Sequence, residues 1–192
     1  PDGVDVALQA EPRARRVAAG VAAADPACDR TMLRLLALEG LPVGSGSGPR
    51  VRVVSVAGRS DAAVLAAADD IAVDLGPDEI AIVLGPASAL CDRLNPAGDL
   101  YATRKGSLEM GGRDYGCALA AAVRLPRGMW RDAHRQRLGL WVLQGATTSG
   151  GVVVADLSGR DIAAAELAAD VLGALERTGA RAYRYGRILP YN

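Results

Sequence analysis

Five arginines fall within fourteen residues of this chain: Arg124, Arg127, Arg131, Arg135 and Arg137. Asp132 is the only acid among them, and Trp130 is interleaved. A guanidinium can grip a phosphate through parallel N–H donors, and an indole can stack on a base. Arg127, Trp130, Arg131 and Arg135 are therefore the residues expected to meet a nucleic acid, should one bind. The competing expectation is a solvated loop beside a strand, and the pattern weighs the two evenly.

Small-molecule chemistry would lie elsewhere. In an open α/β sheet, ligands bind beyond the carboxyl ends of the strands. Those places read here as Asp25-Pro26, residues 58–61 and residues 85–88. Asp25 stands where a doubly wound fold puts the acid that bonds a ribose hydroxyl. Its Asp-Pro context is also that of a plain helix N-cap. Gly58 and Ser60 are the neighbouring candidates for cofactor contact. The run GSGSGP at 44–49 looks like a phosphate loop, but it falls between a helix and the next strand, and no lysine follows it. It reads as a linker.

Other chemistries find little support. His134 is the only histidine and has no nucleophile beside it. Ser55, Ser60, Ser88 and Ser158 lack the G-x-S-x-G elbow. Cys28, Cys91 and Cys117 are far apart and include no C-x-x-C pair, so reduced thiols are expected and a metal site is not.

Composition bounds the architecture. With 192 residues, half of them apolar, one domain with a buried core is expected across residues 1–192. The start at Pro1 rather than methionine suggests a piece of a longer protein. Phenylalanine is absent and alanine and valine abound, which favours close helix-on-sheet packing. No apolar run is long enough for a membrane span, and the first ten residues lack the pattern of a signal peptide. A cytoplasmic setting is expected. The chain is neutral overall, but residues 1–98 hold 9 basic and 13 acidic residues and residues 99–192 the reverse. A basic half can face an anion.

The elements that must position these residues follow from periodicity and turn chemistry. Strands are expected near 16–23, 51–57, 80–84, 117–125, 138–144, 152–155 and 183–189, with 4–8 a short strand or helix end. Helices are expected at 27–39, from Ser60 or Asp61 to 75, at 88–94, and at 161–178 with Leu167, Val171, Leu172 and Leu175 inward. Residues 95–116 read as irregular. Trp141 belongs to the core. The short link at 145–151 suggests that 138–144 and 152–155 pair as an antiparallel hairpin. The fold class is therefore α/β: a Rossmann-like, mostly parallel sheet flanked by helices, with a C-terminal antiparallel hairpin.

Several segments together resemble the N-6 adenine DNA methylases of type I restriction-modification systems. They are AVRLPRGMW (122–130), LGLWVLQ (138–144), IAIVLGPASAL (80–90), VVVADLSGRD (152–161) and the stretch from 17 to 40. The resemblance implies an S-adenosylmethionine-dependent methyltransferase scaffold, with DNA as a partner and Asp25, Gly58 and Ser60 as surviving cofactor contacts. Two diagnostic parts of that family are missing. The Asn-Pro-Pro-aromatic motif should fall between the strands at 51–57 and 80–84, where GRSDAAVLAAADDIAVDLGPDE stands instead. The Gly-rich cofactor loop expected before Val17 is absent. Asn95-Pro96 is followed by Ala97 and comes after the wrong strand. A flipped adenine needs polar acceptors and a stacking face, so this chain is expected not to methylate adenine alone. Two other readings stay open: a scaffold module that binds a protein partner or a second copy, and another Rossmann-like nucleotide-binding enzyme that uses residues 58–61.

Overall fold

The computed structural model of the chain describes residues 4–8, 17–23, 50–110, 117–128, 136–148, 151–176 and 182–189. The helix expected at 27–39 lies outside them. The strands are β1 (Val4–Leu8), β2 (Val17–Ala23), β3 (Arg50–Ser55), β4 (Ile80–Pro86), β5 (Cys117–Arg124), β6 (Leu138–Thr148), β7 (Val152–Asp156) and β8 (Arg187–Leu189). The helices are α1 (Asp61–Asp74), α2 (Ala87–Leu90), α3 (Asp99–Met110) and α4 (Ala164–Glu176).

All eight strands join one sheet in the order β1-β2-β3-β4-β6-β5-β7-β8. β2, β3 and β4 are parallel neighbours, as are β5 and β7. β6 runs antiparallel between β4 and β5, so β4 and β5 point the same way. β1 and β8 are antiparallel edges. The result is the expected mixed α/β sheet with five co-directional strands and helices on it.

The antiparallel C-terminal part is present in a different pairing. Residues 138–144 and 152–155 run in opposite directions but do not touch as a hairpin, because β5 lies between them. The physical reason is the length of β6. It continues four residues past Gln144 to Thr148, which stands opposite Cys117 at the start of β5. The chain therefore clears the end of β5 before it turns, and β7 comes up on the far side.

Both faces are covered, which explains the near-continuous apolar strands. One face packs under α1, α2 and α3: Val64, Leu65, Ala68 and Ala72 of α1 lie against Ala81 and Val83 of β4 and Trp141 and Leu143 of β6. Trp141 is buried as expected, and its Nε1–H donates to the Leu90 carbonyl at 2.8 Å. The other face carries α4, with Ala174 against Val142 and Val153.

Two expectations about helices need correction. Residues 99–110 form α3 rather than irregular chain. Asp99 supplies an acid in its first turn, and Thr103 Oγ1 donates back to the Asp99 carbonyl. Leu172 of α4 is half exposed rather than inward. Its neighbour Asp170 is buried instead and accepts the backbone N–H groups of Arg184, Tyr185 and Gly186. That carboxylate fastens the segment leading into β8 onto the helix.

Candidate functional site

The parallel strands β3, β4, β5 and β7 end at one edge of the sheet, and β6 begins there, with Pro86 opposite Leu138. β3 leads into a tight turn. Arg59 N–H donates to the Val56 carbonyl, and Gly58 takes φ +84°, a conformation that a side chain would strain. Ser60 is the N-cap of α1, its hydroxyl accepting from Ala63 N–H. Both Gly58 and Ser60 thus have a local structural task. The interval that should hold an Asn-Pro-Pro-aromatic motif is this turn followed directly by α1.

The turn after β3 and the start of α2 after β4 meet through one side-chain bond. Ser88 Oγ donates to Asp61 Oδ1 at 2.7 Å. Between them opens a cleft of about 290 Å³ lined by Arg59, Asp61, Pro86, Ser88, Asp92, Gln136 and Arg137. Ala87 N–H donates to the Arg137 carbonyl at 2.7 Å, which fixes the entry of β6 beside it.

Arg124, one of the five clustered arginines, is not available to a ligand. It ends β5 opposite Asp156 of β7 and binds its Oδ2 at 2.9 Å. Its other terminal nitrogen lies 2.6 Å from Asp92 Oδ1, an ionic contact without the alignment of a hydrogen bond. Asp156 is held below the usual carboxylate range, chiefly by hydrogen bonds from Ser158 and further by Arg124. Next to this triad, burial pushes the Cys91 thiol up to about 12, and its Sγ donates to the Val123 carbonyl. Arg104 donates to the carbonyls of Ala89 and Asp92, and burial lowers its pKa.

Arg127 is exposed in the turn after β5, beside Gly128 at φ +82°. Asp25, Trp130, Arg131 and Arg135 lie outside the described residues. Arg93 and Arg160, which the sequence did not single out, are exposed on the segments after α2 and β7. Arg93, Arg127 and Arg160 have no ion pair among the described residues. The signal for Arg160 was its place just past a strand end, in the sequence Ser158-Gly159-Arg160.

The described residues fit S-adenosylmethionine only in part. The cleft's charged side chains suit an amino-acid head group, but its volume lies at the low end of small-molecule pockets, and it offers no aromatic wall for adenine. Asn95, the one residue resembling part of the catalytic motif, is spent on its own turn, its Oδ1 accepting from Ala97 N–H. Among the described residues no metal-ligating cluster occurs, and no helix is long and apolar enough to cross a membrane.

Sheet and edge together define a Rossmann-like α/β protein with a polar cleft at the carboxyl ends of its parallel strands. No family model matches the chain, and no curated protein does. Solved structures similar to it include two that come from type I restriction-modification systems. One, from a study of complex assembly and conformational transition of the type I restriction-modification system, is 17% identical with a TM-score of 0.49, over 76% of this chain and 35% of that one. The other is a type I restriction-modification methyltransferase subunit from Streptococcus thermophilus, 11% identical with a TM-score of 0.45, over 73% of this chain and 34% of that one. The match spans about a third of each of those chains.

Proposed function

We propose that this chain is a methyltransferase-like α/β module of the N-6 adenine DNA methylase kind that holds DNA and does not methylate adenine by itself. The observation that supports it is a group of exposed arginines: Arg93 on the segment after α2, Arg127 in the turn after β5 and Arg160 in the turn after β7, each without an ion pair among the described residues. Guanidiniums left exposed and unpaired suit a phosphate backbone. Trp130, Arg131 and Arg135 follow Arg127 in the sequence and would add stacking and charge. S-adenosylmethionine would meet the carboxyl edge at the turn of Gly58 and Ser60, with Asp25 on its ribose. DNA and a protein partner or second copy are the partners, and the setting is cytoplasmic.

The absence of adenine chemistry follows from the β3–α1 turn. It carries Gly58, Arg59 and Ser60 where an amide and an aromatic ring would be needed to hold a flipped base. The test has two arms. Transfer of labelled methyl from S-adenosylmethionine to duplex DNA is expected to be nil. Anisotropy with labelled duplex at low salt is expected to show binding that Arg127→Ala weakens several-fold. Methyl transfer by the isolated chain, or no binding at low salt, would overturn the reading.

A further inference from the structure

We infer that Tyr185 is a positioning residue for Arg160: its hydroxyl clamps the turn after β7 and so presents the guanidinium to a phosphate backbone in a set place. This role deepens the proposed grip on DNA and rests on it.

The turn begins and ends on fixed points. At its start Leu157 is fully buried, and its N–H donates to the Arg124 carbonyl at 2.9 Å. Asp156 Oδ1 accepts from Ser158 N–H at 3.0 Å, and Arg160 N–H donates to the Leu157 carbonyl at 3.2 Å. At its far end Ala163 directly precedes α4, and its carbonyl accepts the N–H groups of Glu166 and Leu167. That is the N-cap position, where alanine offers no side-chain acceptor. In a capping box the glutamate three residues on reaches back to the N–H of the cap. Here Glu166 does so through an inserted hydroxyl. Ala163 N–H donates to Tyr185 Oη at 3.2 Å, and Tyr185 Oη donates to Glu166 Oε2 at 2.8 Å.

Tyr185 is itself held. Its N–H and those of Arg184 and Gly186 donate to the buried Asp170 carboxylate at 2.7, 2.8 and 2.9 Å. Its ring packs against the buried cluster that includes Leu157, as do Ile162 and Leu167. Tyr185 thus ties both ends of the turn to one helix. Arg160 stands between those ends, exposed and without an ion pair among the described residues. A guanidinium on a turn held at both ends loses less freedom on meeting a phosphate than one on a loose turn.

Tyr185→Phe keeps the ring and removes the hydroxyl. Anisotropy with labelled duplex at low salt compares the parent, Tyr185→Phe, Arg160→Ala and the double variant. Tyr185→Phe is expected to bind about threefold more weakly than the parent. Added to Arg160→Ala it is expected to change nothing further, because the two act through one contact. Equal weakening in both backgrounds would reduce Tyr185 to a structural role, and parent-like binding by Tyr185→Phe would likewise overturn the inference. Hydrogen exchange of the free chain is the readout that needs no DNA. Residues 158–163 should exchange about threefold or more faster in Tyr185→Phe, with residues 61–74 unchanged. Unchanged exchange at 158–163 would remove the clamp. If thermal unfolding shows that Tyr185→Phe does not fold, Glu166→Ala, which takes away the acceptor of the hydroxyl, is measured in its place. The two readings fail separately. Duplex binding that Arg127→Ala weakens and Tyr185→Phe does not would sink only this inference. No duplex binding by the parent would sink the proposed function and the phosphate role with it, while faster exchange would leave the clamp standing.

Discussion

Asp61 and Ser88, 27 residues apart in sequence, are joined by a 2.7 Å hydrogen bond that closes the gap between the turns after two adjacent parallel strands. Each residue begins or nearly begins a helix, α1 and α2, so the bond also holds two helix starts side by side. The cleft exists because these starts are kept at a fixed spacing with Arg137 across from them.

Removing that bond should loosen the edge more than the fold. The contact is exposed, so Ser88→Ala is expected to lower unfolding free energy by about 1 kcal/mol or less. Urea denaturation measures it. A loss several times larger would mean that Ser88 supports the core.

Gly145 makes a sharper demand. A Cβ there would collide with the Gly76 carbonyl oxygen. Gly145 N–H also donates to the Glu79 carbonyl at 3.0 Å, so the two backbones cannot part without losing a bond. Gly145→Ala should destabilise by about 3 kcal/mol or more. An unchanged melting temperature would contradict the packing of β6 against the β4 entry.

Trp141 joins apolar burial to a polar anchor. Trp141→Phe keeps most of the ring but leaves the Leu90 carbonyl without its 2.8 Å donor. An unsatisfied buried acceptor and a smaller ring together should cost about 2 kcal/mol. Thermal unfolding followed by circular dichroism checks it.

Cys91 should be inert. With its thiol pushed up to about 12 by burial, almost none is thiolate at neutral pH. Alkylation with iodoacetamide at neutral pH, read by peptide mass mapping, should leave Cys91 unmodified in the native chain and modify it after unfolding. Rapid native labelling would contradict the burial.

Asp156 sets a pH dependence of definite sign. Its folded pKa is below the ordinary value, so its ionised form is favoured by folding. That contribution is fully present above the unfolded carboxylate range and is lost as pH falls through the folded value. The stability difference between parent and Asp156→Asn should therefore be constant near neutrality and shrink at acid pH. Urea midpoints across that range measure it.

Much of the architecture was legible because its signals are local. VRVVSVA and IAIVL declare strands, and Ser60 followed by Asp61 declares a helix start. The partner of a strand is less legible. The link after Gln144 resembles a hairpin turn, and only the run of β6 to Thr148 and its register with Cys117 place β5 in between. The helix at 99–110 was hidden by Gly106 and by a low apolar content. The site divides the same way. The carboxyl ends of β3 and β4 were identifiable as the places where a ligand of an open α/β sheet would lie, and the structure brings Asp61 and Ser88 together there. That Arg124 is consumed by Asp92 and Asp156 depends on three separate segments meeting, which spacing along the chain does not encode.

If Arg93, Arg127 and Arg160 hold a phosphate backbone, the grip of this chain on DNA is electrostatic. The salt dependence of duplex binding tests it most directly. The parent chain should show log K falling linearly with log salt, and Arg127→Ala and Arg160→Ala should each reduce that slope by about 0.9. Binding that ignores salt, or slopes unchanged in both variants, would contradict it.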